Sequence, residues 1–392
     1  MDRKTLSGSL LVVGTAVGGG MLAIPLVTGR AGFFPAALIS ALVALFMCAT
    51  GLLLLEVVLS VRKEVNLLTL TRSILGPKSA VCVAITFAFL YYCLLAAYFS
   101  FGSALVEQLT YALTAYSLGY NQALFLFFFL FAPLIFLGIW WVDSFYYLAI
   151  GVMACTYCFL LISGSQDMVF ARWEEKDFLE GIWSVPILFS AFGYHNIIPS
   201  LSAYFSYERK VLQRSIVYGC FLVFFVYLSW QALIFGLVPK EALWTISRED
   251  PSWLFKYWNL GGPLVKLSAR LFSFFAIVTS FLGVSFSMID FWGDAFGLRR
   301  KGKQRAFLGG VTFFPPLLIA LYYPQIFLHA LELAGGFGEA VLNGALPILL
   351  VALHRKATGG NLRWLRSLPC LALLLLFTLC VILLEGKIVW SS

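Results

Sequence analysis

The sequence predicts an all-α integral membrane protein of about eleven transmembrane helices, arranged as two five-helix halves of opposite sense plus one extra helix. Helices 1 and 6 are expected to break at mid-membrane. Three observations carry this reading. Only 12% of the 392 residues are charged while 61% are hydrophobic; a soluble domain carries about 25% charge, so lipid must surround most of the chain. Apolar windows of spanning length, roughly 20 residues, recur from one end to the other. Two of these windows are interrupted by glycine at matching places. Together they exclude an independent soluble catalytic domain.

The windows fall at 6–28, 33–60, 80–106, 122–141, 145–165, 182–205, 215–238, 265–297, 306–322, 326–353 and 368–388. The first follows Met1-Asp2-Arg3-Lys4 without the small-residue cleavage pattern of a secretory signal, and more spans follow it, so it reads as a first membrane helix. The eight cysteines all fall within apolar stretches, which argues against an extracellular disulfide framework. Cys155 and Cys158 have the spacing of a metal half-site but no second pair, and packing is the simpler account. Neither a metal nor any other cofactor is expected.

The net charge of +8 reports topology. With the N-terminus inside, the cytoplasmic segments hold 18 of the 27 basic residues: Arg3, Lys4, Arg62, Lys63, Arg72, Lys78, Arg209, Lys210, Arg214, the cluster Arg299, Arg300, Lys301, Lys303 and Arg305, and Arg355, Lys356, Arg363 and Arg366. Five of the other nine sit in the long 239–270 segment, which the positive-inside rule weights less. The N-terminus is therefore expected in the cytoplasm and the C-terminus outside. The 166–181 loop, with Asp167, Glu174, Glu175, Asp177 and Glu180, becomes an acidic outer loop. The basic clusters are expected to touch anionic lipid headgroups and not nucleic acid, since no aromatic platform outside the membrane accompanies them.

In the first span the run Gly18-Gly19-Gly20 precedes Pro25, with Gly19 six residues before it; in the sixth, Gly193 lies six residues before Pro199. Each glycine costs a helix about 1 kcal/mol relative to alanine. An odd number of spans separates the two breaks, so the second copy enters the membrane in the opposite sense. The halves are read as 1–165 and 182–353, with 368–388 as the eleventh helix. Unwound backbone is tolerated at this depth only where it is buried in protein or lines a polar cavity, so the two breaks point to one central site. Freed N–H groups there suit a carboxylate, and freed carbonyls an ammonium or a cation. A zwitterion fits this chemistry. Close helix packing through small residues is the plainer account of the glycines, and the match between the breaks weighs against it.

The stretch Gly14-Thr15-Ala16-Val17-Gly18-Gly19-Gly20-Met21-Leu22-Ala23-Ile24-Pro25 resembles the opening motif of the bacterial hydroxy/aromatic amino acid permease family. Phe189 to Ser200 is similar to its phenylalanine-glycine-aromatic-histidine segment, and Leu52 to Val57 fits as well. The nearest likeness is to the tyrosine-specific permease branch. The resemblance implies a leucine-transporter-type fold in the inner membrane and import of an aromatic amino acid with protons. It does not separate tyrosine from tryptophan. Gly19 departs from the family's pattern, where alanine sits between two glycines; a looser pocket is expected.

Candidate binding residues are Thr15, Gly18, Gly19, Gly20, Phe189, Ser190, Phe192, Gly193, Tyr194 and His195, with Tyr91, Tyr92 and Tyr98 on the third span. Ionisable groups at membrane depth mark function by default. Three are candidates for ion coupling. His195 titrates in the useful range and either carries a proton or simply lines the site. Glu56, near Arg62 and Lys63, is a structural ion pair or a proton carrier. Glu332 shares a helical face with His329, just before Gly335-Gly336-Phe337-Gly338-Glu339, which reads as a flexible arm or a packing motif. Asp290 and Asp294 read as an interfacial ion-pair network. Thr279, Ser280, Ser285 and Ser287 could hold sodium or merely join helices.

The expected function is secondary active import by alternating access, for tyrosine first, or for tryptophan or a broader range of neutral amino acids, coupled to protons or to sodium. No Walker-type motif is present, so ATP does not drive it within this polypeptide. The rival class, an integral-membrane hydrolase using Ser190 or Ser200 with His195, lacks a glycine-flanked serine or a zinc-binding helix pattern.

Overall fold

The computed structural model describes residues 2–391 except 62–65, 137–138, 175, 240–241, 244–261, 300 and 355–363. Arg62, Lys63, Glu175, Arg300, Arg355, Lys356 and Arg363, named above, lie outside the described residues, as do Lys240, Arg248 and Lys256 of the 239–270 segment. Among those described, the chain is helical. The helices are α1 (Arg3–Ala16), α2 (Gly19–Thr28), α3 (Phe33–Val61), α4 (Leu67–Leu75), α5 (Pro77–Thr114), α6 (Tyr120–Phe131), α7 (Ile139–Ser165) and α8 (Phe178–Ile182). There follow α9 (Val185–Ala191), α10 (Ile198–Tyr204), α11 (Arg209–Leu237), α12 (Pro263–Phe296), α13 (Gly302–Tyr322), α14 (Phe327–Leu333), α15 (Leu346–Leu353) and α16 (Leu368–Ser391). Among the described residues, eight helical stretches are each long and apolar enough to cross a membrane, and the bent pair α1–α2 makes a ninth. The expected spans 122–141 and 182–205 fall on shorter pieces, α6 with the turn after it and the pair α9–α10.

Asp2 caps α1, its side chain accepting from the Thr5 amide at 2.7 Å. That backbone bond, first among its causes, holds the exposed Asp2 carboxyl below its ordinary value. The helix ends at Ala16, where Val17 turns extended, and α2 departs at 63°. A Cβ on Gly18 would run into the Ser280 hydroxyl, which would have to rotate away. The second break spans Phe192 to Ile197, with one tight turn at His195–Ile197 before Pro199 enters the first turn of α10. Gly20 and Ala191 bring the breaks together: a Cβ on Gly20 would lie 3.0 Å from Ala191 Cα.

The connecting segments gather at two ends. At one, Lys4 pairs with Glu208, Arg214 lies 4.0 Å from Asp2, Ser60 bonds His354 at 2.8 Å and Asn66 donates to Asp294 at 3.2 Å. At the other, Arg30 pairs with Glu180 at 3.7 Å, Arg172 donates to the last carbonyls of α11, and Ser100 donates to Pro324 O at 2.5 Å.

The glycine-rich run in the tenth window does not interrupt its helix. Residues Ala334–Ala345 form a π-helical stretch that joins α14 to α15 without a gap. Its glycines are contact points. A Cβ on Gly335 would enter the α9 backbone at Pro186 and Ser190, one on Gly336 would meet Glu385 of α16, and one on Gly338 would lie 2.8 Å from Leu90 of α5. Of the two readings of this run, the packing motif describes what the glycines touch.

Candidate functional site

A cavity of about 280 Å3 lies where the two breaks meet, near the lower end of the range for small-molecule sites. The end of α1 and the start of α2 supply Thr15, Gly18, Gly19 and Gly20; the second break supplies Ser190, Gly193 and Asn196. One face of α5 forms an apolar wall of Phe87, Tyr91, Leu94 and Tyr98, spaced three or four apart as a single helical face requires, with Leu90 beside them. Beside it, α12 presents Thr279, Ser280 and Ser287. The cavity runs along the α1 side of the breaks and reaches Leu67 at the start of α4.

The polar groups are few and placed. The Gly19 amide donates to Ser280 Oγ at 3.2 Å, so the hydroxyl packed against Gly18 also holds the first break. Asn196 donates to Tyr91 Oη at 3.0 Å. Ser190 Oγ is buried without a hydrogen-bond partner. Glu339, in the π-helical stretch, accepts from Asn343 one turn on and lies against the second break, where a Cβ on Gly193 would be 2.5 Å from its Oε1. It is the one carboxylate lining the cavity among the described residues.

Of the residues singled out in the sequence, Thr15, Gly18, Gly19, Gly20, Ser190 and Gly193 line the cavity, as do Tyr91 and Tyr98. Phe189, Phe192, Tyr194 and His195 do not. The Phe189 ring packs on Phe46 and Phe377, and Phe192 meets Tyr227 edge to face at 4.9 Å. Tyr194 donates to Met47 O at 3.0 Å. His195 is turned into α3, its Nε2 at 2.9 Å from Thr50 Oγ1; it faces neither the cavity nor Ser190, so the two form no nucleophile–base pair. Tyr92 also points away, donating to Val311 O. Gly19 does not loosen the pocket, because Tyr98 and Ile277 occupy the room, 2.7 Å and 2.9 Å from where its Cβ would stand.

Two other carboxylates sit apart from the cavity. Glu56 accepts from Arg209 and, at 3.2 Å, from Gln213, both on α11, which makes it the buried half of an ion pair. Glu332 lies 3.8 Å from His329 on α14. Glu339 was within the glycine-rich run noted in the sequence but not singled out. The available signal was a carboxylate directly after three glycines at membrane depth, which marks a helix face pressed against neighbours.

Similar proteins can now be set beside this geometry. The chain is 31% identical to the tyrosine-specific transport system 1 of Haemophilus influenzae, covering 92% of each chain. It is 30% identical to a tryptophan-specific transport protein of Pseudomonas aeruginosa, over 95% of this chain and 92% of that one. Among solved structures, MhsT in complex with L-phenylalanine superposes with a TM-score of 0.66 at 15% identity, covering 98% of both chains. Mhp1, a nucleobase-cation-symport-1 family transporter in a closed conformation with bromovinylhydantoin bound, gives 0.60 at 14% identity, over 98% of this chain and 92% of that one. These likenesses establish the leucine-transporter-type fold. With residues 1–385 matching the tryptophan/tyrosine permease family, the chain belongs to that family of multi-pass membrane permeases and is a transport protein, not an enzyme.

Proposed function

We propose that the protein is a secondary active importer of an aromatic amino acid, tyrosine first, coupled to protons across the bacterial inner membrane. The observation that carries this reading is the cavity shared by both helix breaks, lined by aromatic side chains of α5 and, among the described residues, by the one carboxylate of Glu339. The amides at the start of α2 are where a substrate carboxylate is held. Tyr91, Leu94 and Tyr98 flank the ring, and Glu339 faces the ammonium end and takes the coupling proton. A zwitterion carries no net charge, so accumulation needs a coupled ion; one proton supplies about 2.3 kcal/mol per 100 mV. In this assignment Glu339 replaces His195, Glu56 and Glu332, which lie outside the cavity.

The halves 1–165 and 182–353 move against each other around this site, with 368–388 outside the repeat. The charge bias places the N-terminus in the cytoplasm and the C-terminus outside. The Leu67 end of the cavity then faces inwards, and the basic clusters at that end meet lipid headgroups. Tryptophan is the second reading, supported by the 30% identity to a tryptophan-specific relative.

Counterflow in proteoliposomes tests both. Labelled tyrosine should exchange against internal tyrosine, with competition by tryptophan, phenylalanine and leucine ranking the substrates at two pH values, with and without sodium. Preference for tryptophan selects the second reading. No exchange with any aromatic amino acid removes both.

A further inference from the structure

Tyr227 stands on α11, fully buried, and its hydroxyl oxygen lies 2.7 Å from the carbonyl oxygen of Ala16 and 2.7 Å from that of Ala191. These two residues are the last of α1 and of α9. Their carbonyls have lost their helical partners, because the chain four residues further on already lies beyond each break. Both half-helices thus present a freed carbonyl to one point. Carbonyls at such broken ends are the ligands that receive a coupling cation in transporters built this way. Here a phenolic oxygen fills the point. The Phe192 ring packs edge to face on the Tyr227 ring, and Gln231 donates to the Tyr227 backbone carbonyl and to Ser40 Oγ.

A tyrosine hydroxyl has one proton to donate. Shared or exchanged between two carbonyls, it ties the ends of both half-helices as a small cation would, but without adding charge. We propose that the Tyr227 hydroxyl is the built-in replacement for a monovalent cation at the junction of the two breaks, so that substrate binding beside it requires no sodium. Tyr227 is not itself among the residues lining the cavity, although Ala16, which its hydroxyl holds, is; it is a positioning residue that determines which ions the carrier uses. The inference rests on the carrier reading above.

Tyr227→Phe removes the hydroxyl and leaves two buried carbonyls facing a gap of about one oxygen atom. Leaving buried acceptors without a donor weakens a site by about tenfold or more. The test is counterflow of labelled tyrosine, or of labelled tryptophan if that is the better substrate, by reconstituted full-length protein in sodium, lithium or N-methylglucamine medium. Wild type should show the same half-saturation in all three. Y227F should be about tenfold weaker without sodium and should recover towards wild type when sodium or lithium is added. Three results overturn the proposal: wild type requiring sodium, Y227F matching wild type without sodium, or Y227F equally impaired in all media. If Y227F proves too unstable to purify, the wild-type titration decides, since a tenfold response to either cation overturns the proposal and no response supports it. Wild type showing no counterflow in any medium would instead remove the carrier reading, and this inference with it.

Discussion

At the scale of single residues, the division of labour at the second break turns on which way a side chain points. Gly193 faces the cavity and Glu339, while Tyr194 and His195, next along the chain, turn into α3. A coupling role for Glu339 and a structural one for His195 make opposite predictions. Glu339→Gln should retain exchange yet lose accumulation driven by a pH gradient, its internal-to-external ratio falling from about tenfold or more to about one. His195→Gln should keep that accumulation within about threefold, its cost appearing as lost stability of about 1–3 kcal/mol from the buried bond to Thr50. Paired uptake and exchange assays on the two variants decide this. Loss of accumulation in H195Q but not E339Q would return the coupling role to the histidine. Sequence reading located this break through Gly193 and Pro199. It did not resolve the orientation of Phe189, Phe192, Tyr194 and His195, because an irregular segment has no fixed periodicity from which a facing side can be counted.

At the scale of helices, the tenth window joins three neighbours through residues without side chains. Gly335 sits against the α9 backbone so closely that Gly335→Ala must displace one helix from the other. Overpacking of this kind costs about 1–3 kcal/mol. Because α9 leads directly into the second break, transport should fall about tenfold while the protein still reaches the membrane. Wild-type uptake by Gly335→Ala would show that α9 and this stretch can separate freely. Glu56 makes a different kind of link, tying α3 to α11 through Arg209. Glu56→Gln leaves the guanidinium facing a neutral amide. The expected loss is roughly 3 kcal/mol, the low end for a broken buried pair, since Arg209 is a third exposed. Thermal unfolding in detergent should show it, and Glu56→Gln with Arg209→Gln should recover part of it. A Glu56→Gln protein as stable as wild type but unable to accumulate substrate would make Glu56 a proton carrier after all. The buried Glu56 was legible in the sequence, but its partner was not. Arg209 lies 153 positions away, and only the packing of α3 on α11 brings the two together.

At the scale of the whole molecule, the lining of the cavity extends along the α1 side of the breaks to Leu67 at the start of α4, and Gly20 lies close against Ala191. This predicts one-sided access. With the exposed native cysteines replaced by serine, Leu67→Cys and Ser287→Cys should react with a membrane-impermeant thiol reagent from the cytoplasmic side. Substrate should slow the Ser287→Cys reaction severalfold. Reaction solely from the outside would reverse the assigned orientation. Membrane residence, the sites of both helix breaks and the two-sided sorting of loops were already present in the sequence, because each is a local property: apolar run length, glycine against proline, and the count of basic residues per loop. The meeting of Glu339 with Gly193, of Ser280 with Gly19, and of Tyr227 with the carbonyls of Ala16 and Ala191 was decided by tertiary structure alone. Those contacts join helices far apart in the chain. Their geometry depends on how each helix is rotated about its axis, and in a chain apolar on nearly every face no hydrophobic stripe announces that rotation.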